Sequence, residues 1–264
     1  MPLRRWLRHR LRPPPPPQPR RTRLPPLPVL SDRPLADAGL RTFDRSLLAS
    51  LEHQEVHPGL FEVDLLTPAA AARVRAELQA ARDWCIQTGC VPPPPNSMHE
   101  AGADTHLLGL DQWASGLASD VLAELAHRLL PDHAPQPPPD VHAFSVDYGP
   151  SGDTDLAQHV DDAQVTVNLW LGGDAADSAV VFEGVRCLMH LDIPLHRTEE
   201  FAWRGRPGVA LVHAGLHRHR TRAVGAGQRD SLIFWLQDPV VRAARFEDAQ
   251  QAQCPDWCGI HDAP

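Results

Sequence analysis

The sequence contains no lysine, so all 25 of its basic residues are arginine. It has a single tyrosine, Tyr148, and aromatic residues make up only 6% of the chain. No segment approaches the roughly 20 apolar residues that a membrane-spanning helix requires. Five cysteines, an odd number, do not form a disulfide framework in a chain of 264 residues. No internal repeat with a period of about 20–50 residues is visible, which excludes solenoids and propellers. The opening MPLRRWLRHRLR is basic, yet no apolar run follows it as one would in a secretory leader. These absences lead to the expectation of a soluble, cytoplasmic protein with no membrane partner.

What is present is unevenly distributed. Hydrophobic residues make up 42% of the chain, enough for a buried core. Eight arginines and no acid lie in the first 23 residues; beyond them 17 arginines face 33 acids, a net charge of −16. A body this acidic is a poor partner for nucleic acid. Residues 1–34 also hold 11 of the 28 prolines, including the run at 13–17. That density blocks helices and sheet ladders and predicts a disordered Pro/Arg-rich tail, which could serve as a docking segment for an aromatic groove.

Folded sequence is expected from about residue 35. LFEVDLL (60–66) alternates as a strand does, and Thr67 followed by Pro68 is a helix start. Val74, Leu78, Ala81 and Cys85 then recur at helical spacing. A second amphipathic helix is expected over about 112–130, and PQPPPD (135–140) closes the helical part, which spans about 57–134. From there to about residue 240 the pattern is of short strands: VHAFSVDY, QVTVNLWL, SAVVFEGV, GVALVHAG and SLIFWLQ. The expectation is an α+β domain over 35–240, with a β-sandwich or jelly-roll core at about 139–240 flanked by N-terminal helices. Residues 241–264 form a C-terminal extension.

Within the strand-rich part, His159 and Asp161 are two positions apart, which on a strand turns both side chains to one face. A third imidazole from a later antiparallel strand would complete a 2-His-1-carboxylate set, the arrangement that leaves adjacent coordination positions open on ferrous iron. LVHAGLHRHR supplies three candidates, His213, His217 and His219. Arg229 opens the strand SLIFW ten residues after His219, where a guanidinium could grip a carboxylate bidentately. Tyr148 precedes His159 by eleven residues. Spacing to Arg229 favours His219 as the third ligand; His217 is the rival, and His213 reads as a supporting or surface histidine.

This order of Tyr, H-x-D, a long gap, His and a basic residue resembles the iron(II)- and 2-oxoglutarate-dependent dioxygenases of the prolyl 4-hydroxylase-like group. PPNSM (94–98), HAFSVDY (142–148), L-x-x-H-V-D-D (156–162), VTVNLWLG (165–172), FEGVRC (182–187) and G-x-H-R-H-R (215–220) extend the resemblance over roughly 57–240. It implies a double-stranded β-helix. It also implies Fe(2+) on His159, Asp161 and His219, and 2-oxoglutarate anchored by Arg229 and Tyr148. The implied reaction is hydroxylation of an unactivated C–H in a prolyl, peptidyl or amino-acid-like substrate, consuming O2 and releasing succinate and CO2, with L-ascorbate as reductant. Two places depart from the pattern: AADS (175–178) replaces a Gly-Gly turn, and Ser231 stands where asparagine is usual. A cupin-like divalent-metal protein without oxygenase activity, and an idle scaffold, are the alternatives.

Other residues carry two readings each. Asp162 could tune the ligands or be a solvated turn residue. Asn168, Trp170 and Trp235 could line a 2-oxoglutarate pocket or pack in the core. Asn96 and Met98 could approach the mouth of the site or belong to a structural loop, and Cys85 and Cys90 read as thiols near a helix end. Cys254, Cys258 and His261 have zinc-like spacing but lack a fourth ligand, for which Cys187 is the candidate.

Overall fold

The computed structural model describes residues 51–89, 92–194, 199–244 and 254–260. The expected tail (1–34), Cys90 and His261 lie outside these residues. Strands β1 (His53–His57) and β2 (Leu60–Asp64) lead into helix α1 (Pro68–Thr88). The Thr67 side chain accepts from the amide of Ala70 at 3.2 Å, satisfying one of the donors that a helix start leaves open. Strand β3 (Gly102–Asp104) follows, then a second helical stretch in three parts: α2 (Asp111–Leu117), a π-helical turn (Ala118–Leu122) and α3 (Ala123–Leu129). The strand-rich part comprises β4 (Asp140–Tyr148), β5 (Leu156–His159), β6 (Val165–Gly173), β7 (Val180–Val185), β8 (Glu200–Trp203), β9 (Val209–Ala214), β10 (His217–Thr221) and β11 (Arg229–Gln237), and α4 (Pro239–Ala244) follows it. None of the described helices is long and apolar enough to cross a membrane.

The strands form two antiparallel sheets, one ordered β1-β2-β9-β6-β11-β4-β3 and one ordered β5-β10-β7-β8. This two-sheet arrangement is the double-stranded β-helix, and its larger sheet is covered on both faces. Val167, Leu169 and Leu171 of β6, with Leu232, Phe234 and Leu236 of β11, pack against Val74, Leu78 and Ala81 of α1. The alternate residues point the other way: Trp170 and Leu211 meet Phe182 and Trp203 of the smaller sheet. Strands buried on both faces lose the apolar–polar alternation of a surface strand, and β6 and β11 read accordingly as near-continuous apolar runs. Polar residues at inward positions of such runs (Thr166, Asn168, His213, Arg229, Ser231) are therefore conspicuous, and all five are buried.

Three strands, β1, β3 and β8, were not expected from the sequence. Each has five residues or fewer, too short for a period to show. β10 is the polar stretch HRHRT, a strand because it is paired on both sides, by β5 and β7.

Candidate active site

β10 and β5 are antiparallel neighbours, and their register sets His219 directly opposite His159. The two rings lie 4.2 Å apart between centroids. The sequence expectation of His159 and Asp161 on one strand is corrected in part: β5 ends at His159 and Asp161 lies just beyond it. The main chain of Asp161 is held instead by its amide donating to the carbonyl of Gly215 at 2.8 Å. That bond, rather than strand alternation, turns the carboxylate toward the two imidazoles.

The protonation pattern is fixed by the surroundings. His159 Nδ1 donates to the carbonyl of Ala157 and His219 Nδ1 to that of His217, each at 2.8 Å. Both Nε2 lone pairs are left facing Asp161 Oδ1, at 3.6 and 3.8 Å. These separations are too long for hydrogen bonds. The other carboxylate oxygen, Oδ2, accepts from Thr166 Oγ1 at 2.7 Å. Burial, with His159 next, holds the His219 imidazole down at about 3 against the opposing pull of Asp161. Burial alone would raise the Asp161 carboxyl, but His219 and His159 overcome it and keep the group ionised well below the usual carboxylate range. Two imidazole nitrogens and one carboxylate oxygen thus converge, a donor set suited to a divalent cation.

A small cavity joins this cluster to Arg229. Arg229, at the start of β11, pairs in register with Tyr148 at the end of β4, and its guanidinium carbon lies 4.1 Å from the centre of the Tyr148 ring. The guanidinium is buried, yet Nε and Nη1 have no hydrogen-bond partner in the protein. Two unsatisfied donors on a buried cation are costly unless an acceptor arrives. Backbone packing positions the strand start: a Cβ on Gly173 would stand 1.9 Å from the carbonyl oxygen of Gln228, so only glycine fits opposite Arg229 in the sheet.

Asn168 and Trp235 line the same cavity, and each keeps a buried polar atom without a protein partner, Oδ1 and Nε1 respectively. Trp170 packs edge-on against Trp203, with ring centroids 5.7 Å apart, and its ring centre lies 5.2 Å from the guanidinium carbon of Arg229. His213 is buried and lines the cavity, so the surface reading is set aside. His217 is buried in edge contact with Phe182 and stays outside the His159–Asp161–His219 cluster. Asp162 is half-buried. Cys85 is buried in α1.

His99 was missed by the sequence reading, although its neighbours Asn96 and Met98 were considered. Asn96 Oδ1 accepts from the amides of Met98 and His99 and from His99 Nδ1, which leaves His99 Nε2 to accept from the Tyr148 hydroxyl at 3.1 Å. Burial, with a smaller contribution from His159, lowers His99 to about 4. A lone histidine in a Pro-rich loop offers no spacing signal; only the fold brings it to Tyr148.

No family model matches the chain. Curated relatives do. It is 30% identical over 205 residues to 2-oxoglutarate and iron-dependent oxygenase domain-containing protein ICU11 of Arabidopsis thaliana, covering 78% of this chain and 51% of that one. It is 29% identical over 215 residues to 2-oxoglutarate and iron-dependent oxygenase domain-containing protein 2 of Homo sapiens, covering 81% and 57% respectively. The chain therefore spans about half the length of these relatives. Among solved structures, AviO1 from Streptomyces viridochromogenes Tue57 superposes with a TM-score of 0.51 at 15% identity, over 75% of this chain and 96% of that one. The carbocyclase SnoK from nogalamycin biosynthesis, described as non-heme and alpha-ketoglutarate-dependent, superposes with a TM-score of 0.50 at 11% identity, over 68% and 80%. Fold and relatives together define the class: a 2-oxoglutarate- and iron-dependent oxygenase domain. Within that class the chain is similar in sequence to the plant and animal oxygenase-domain proteins.

Proposed function

We propose that residues 35–240 form one dioxygenase domain that hydroxylates an unactivated C–H bond in a prolyl, peptidyl or amino-acid-like substrate. His159 Nε2, Asp161 Oδ1 and His219 Nε2 would hold Fe(2+), and Arg229 with Tyr148 would hold the far carboxylate of 2-oxoglutarate. Bound iron and 2-oxoglutarate supply oxygen activation coupled to oxidative decarboxylation, with succinate and CO2 as co-products. The observation that carries this reading is Arg229: a buried cation with two unsatisfied donors, in the same cavity as a His–Asp–His cluster.

The chain's own residues perform four tasks. The Ala157 and His217 carbonyls fix the histidine tautomers so that both Nε2 atoms point inward. Thr166 holds one oxygen of Asp161, leaving the other for the metal. Arg229 meets a carboxylate with a forked pair of donors, and Tyr148 turns its proton from His99 to the same group. Phe144, Ile233 and Trp235 wall the cavity and limit water. L-ascorbate is proposed as the reductant that maintains the ferrous form, and the Pro-rich segment as a docking element.

The test is anaerobic titration of Fe(2+) and 2-oxoglutarate into the chelated protein. A visible metal-to-ligand charge-transfer band that needs both additions, and that is lost in Asp161→Ala, is expected. Metal binding without that band would refute the proposal. Succinate release across a panel of peptides and amino acids then identifies the substrate class.

A further inference from the structure

A second cluster lies apart from the active-site cavity. Cys187 directly follows FEGVR at the end of β7 and caps a 3-10 turn that carries His190. Cys254 and Cys258 belong to the described C-terminal segment 254–260. The four side chains, three sulfurs and one imidazole nitrogen, lie within 4.8 Å of one another. The sequence reading paired Cys254 and Cys258 with His261 and left Cys187 unplaced; in the fold, Cys187 is present and the histidine is His190.

The distances distinguish coordination from hydrogen bonding. His190 Nδ1 lies 3.2 Å from Cys187 Sγ, 3.4 Å from Cys254 Sγ and 3.6 Å from Cys258 Sγ. One imidazole nitrogen has a single proton or a single lone pair, so it cannot bond three thiols at once. Three sulfurs around one nitrogen instead trace the edges of a tetrahedron. With zinc–sulfur and zinc–nitrogen bonds of about 2.3 and 2.1 Å, those edges are about 3.5–3.8 Å.

The surroundings suit thiolates. The amide of Cys187 donates to Cys258 Sγ at 3.3 Å. Two buried arginines, Arg186 and Arg218, stand beside the cluster. Arg186 forks onto Glu199 at 2.6 and 2.7 Å. Arg218 donates to the carbonyls of Glu183 and Leu191, which flank the cluster's turn. The segment approaches closely: the amide of Gly259 donates to the carbonyl of Val185 at 3.0 Å, and a Cβ on Gly259 would stand 2.5 Å from Arg186 Nη1.

We propose that Cys187, His190, Cys254 and Cys258 form a closed structural zinc site that staples the C-terminal segment to the end of β7. The spacings C-x2-H and C-x3-C are those of structural sites, and four protein ligands leave no position for substrate. Zinc displaces three thiol protons to solvent, and the resulting site carries one net negative charge, which Arg218 offsets while Arg186 is paired with Glu199. Because β7 pairs with β10, the staple steadies the strand that presents His219. The inference is independent of the oxygenase reading, since it needs neither iron nor 2-oxoglutarate.

The full-length, reduced protein is loaded with Co(2+) in place of zinc. A thiolate-to-cobalt charge-transfer band with intense tetrahedral d–d bands is expected, and the His159–Asp161–His219 cluster, having no sulfur, cannot produce it. Metal analysis of protein purified with zinc should show about one tightly held zinc that is released by a mercurial. His190→Cys should retain that zinc, and the double variant Cys254→Ser/Cys258→Ser should lose it. Absence of the thiolate–cobalt band in the wild type overturns the proposal even if the serine variants do not fold. So does unchanged zinc in the double variant.

Discussion

Arg229 concentrates the residue-scale argument. It is buried with Nε and Nη1 unpartnered, and the proposed carboxylate would satisfy both. Arg229→Ala should weaken 2-oxoglutarate binding by about 100-fold, as expected for a lost charged pair of about 3 kcal/mol, and leave metal affinity unchanged. Isothermal titration with metal alone and then with metal plus 2-oxoglutarate separates the two. Thr166→Val keeps the shape but removes the bond to Asp161 Oδ2; metal affinity should fall by about 10- to 100-fold. His99 gives a pH signature in the metal-free protein. Its folded value of about 4 lies below the ordinary 6.5, so between these values the unfolded chain binds the extra proton. Stability should therefore fall as pH drops from about 6.5 to 4, by up to about 3 kcal/mol, and level off below. Urea unfolding of wild type and His99→Asn at pH 7 and pH 4.5 should show this contribution as a difference confined to the lower pH.

At the scale of elements, segments with a clear apolar pattern were legible and the short strands β1, β3 and β8 were not. Val74, Leu78 and Ala81 mark the buried stripe of α1, and all three pack on the large sheet. The helix cap is separable from the site: Thr67→Ala should cost about 1 kcal/mol of unfolding free energy without changing 2-oxoglutarate affinity. If affinity falls as well, α1 does more than support the sheet. β10 is the opposite case. HRHRT has no apolar pattern, and its strand conformation comes from two neighbours remote in sequence. Spacing to Arg229 favoured His219 over His217. The structural reason for that preference is the register with His159, which no local pattern contains. His99 and His190 escaped notice for the same cause, since each gains meaning only from Tyr148 or from the three cysteines.

For the whole molecule, the two clusters proposed to bind metal predict ligand-linked stability. In protein carrying a non-reactive divalent metal, 2-oxoglutarate at 100 times its dissociation constant should add about 2.7 kcal/mol of stability. Differential scanning calorimetry should show that increment in wild type and not in Arg229→Ala, whose metal-induced increment should persist. An equal 2-oxoglutarate increment in both proteins would place the cosubstrate elsewhere.

Composition and local pattern by themselves determined the acidic character of the chain, the order of helices before strands, and the residue types able to hold a ferrous ion and a dicarboxylate. They did so because burial on one or two faces imprints a period on long elements, and because few side chains can ligate metal or grip carboxylate. Tertiary structure alone decided which histidine faces His159, how Asp161 is turned inward beyond its strand, and that His190 joins three cysteines. Those outcomes rest on strand register and on close approach between distant segments. Such contacts are set by the packing of two sheets against each other, and they leave no periodic trace along the chain.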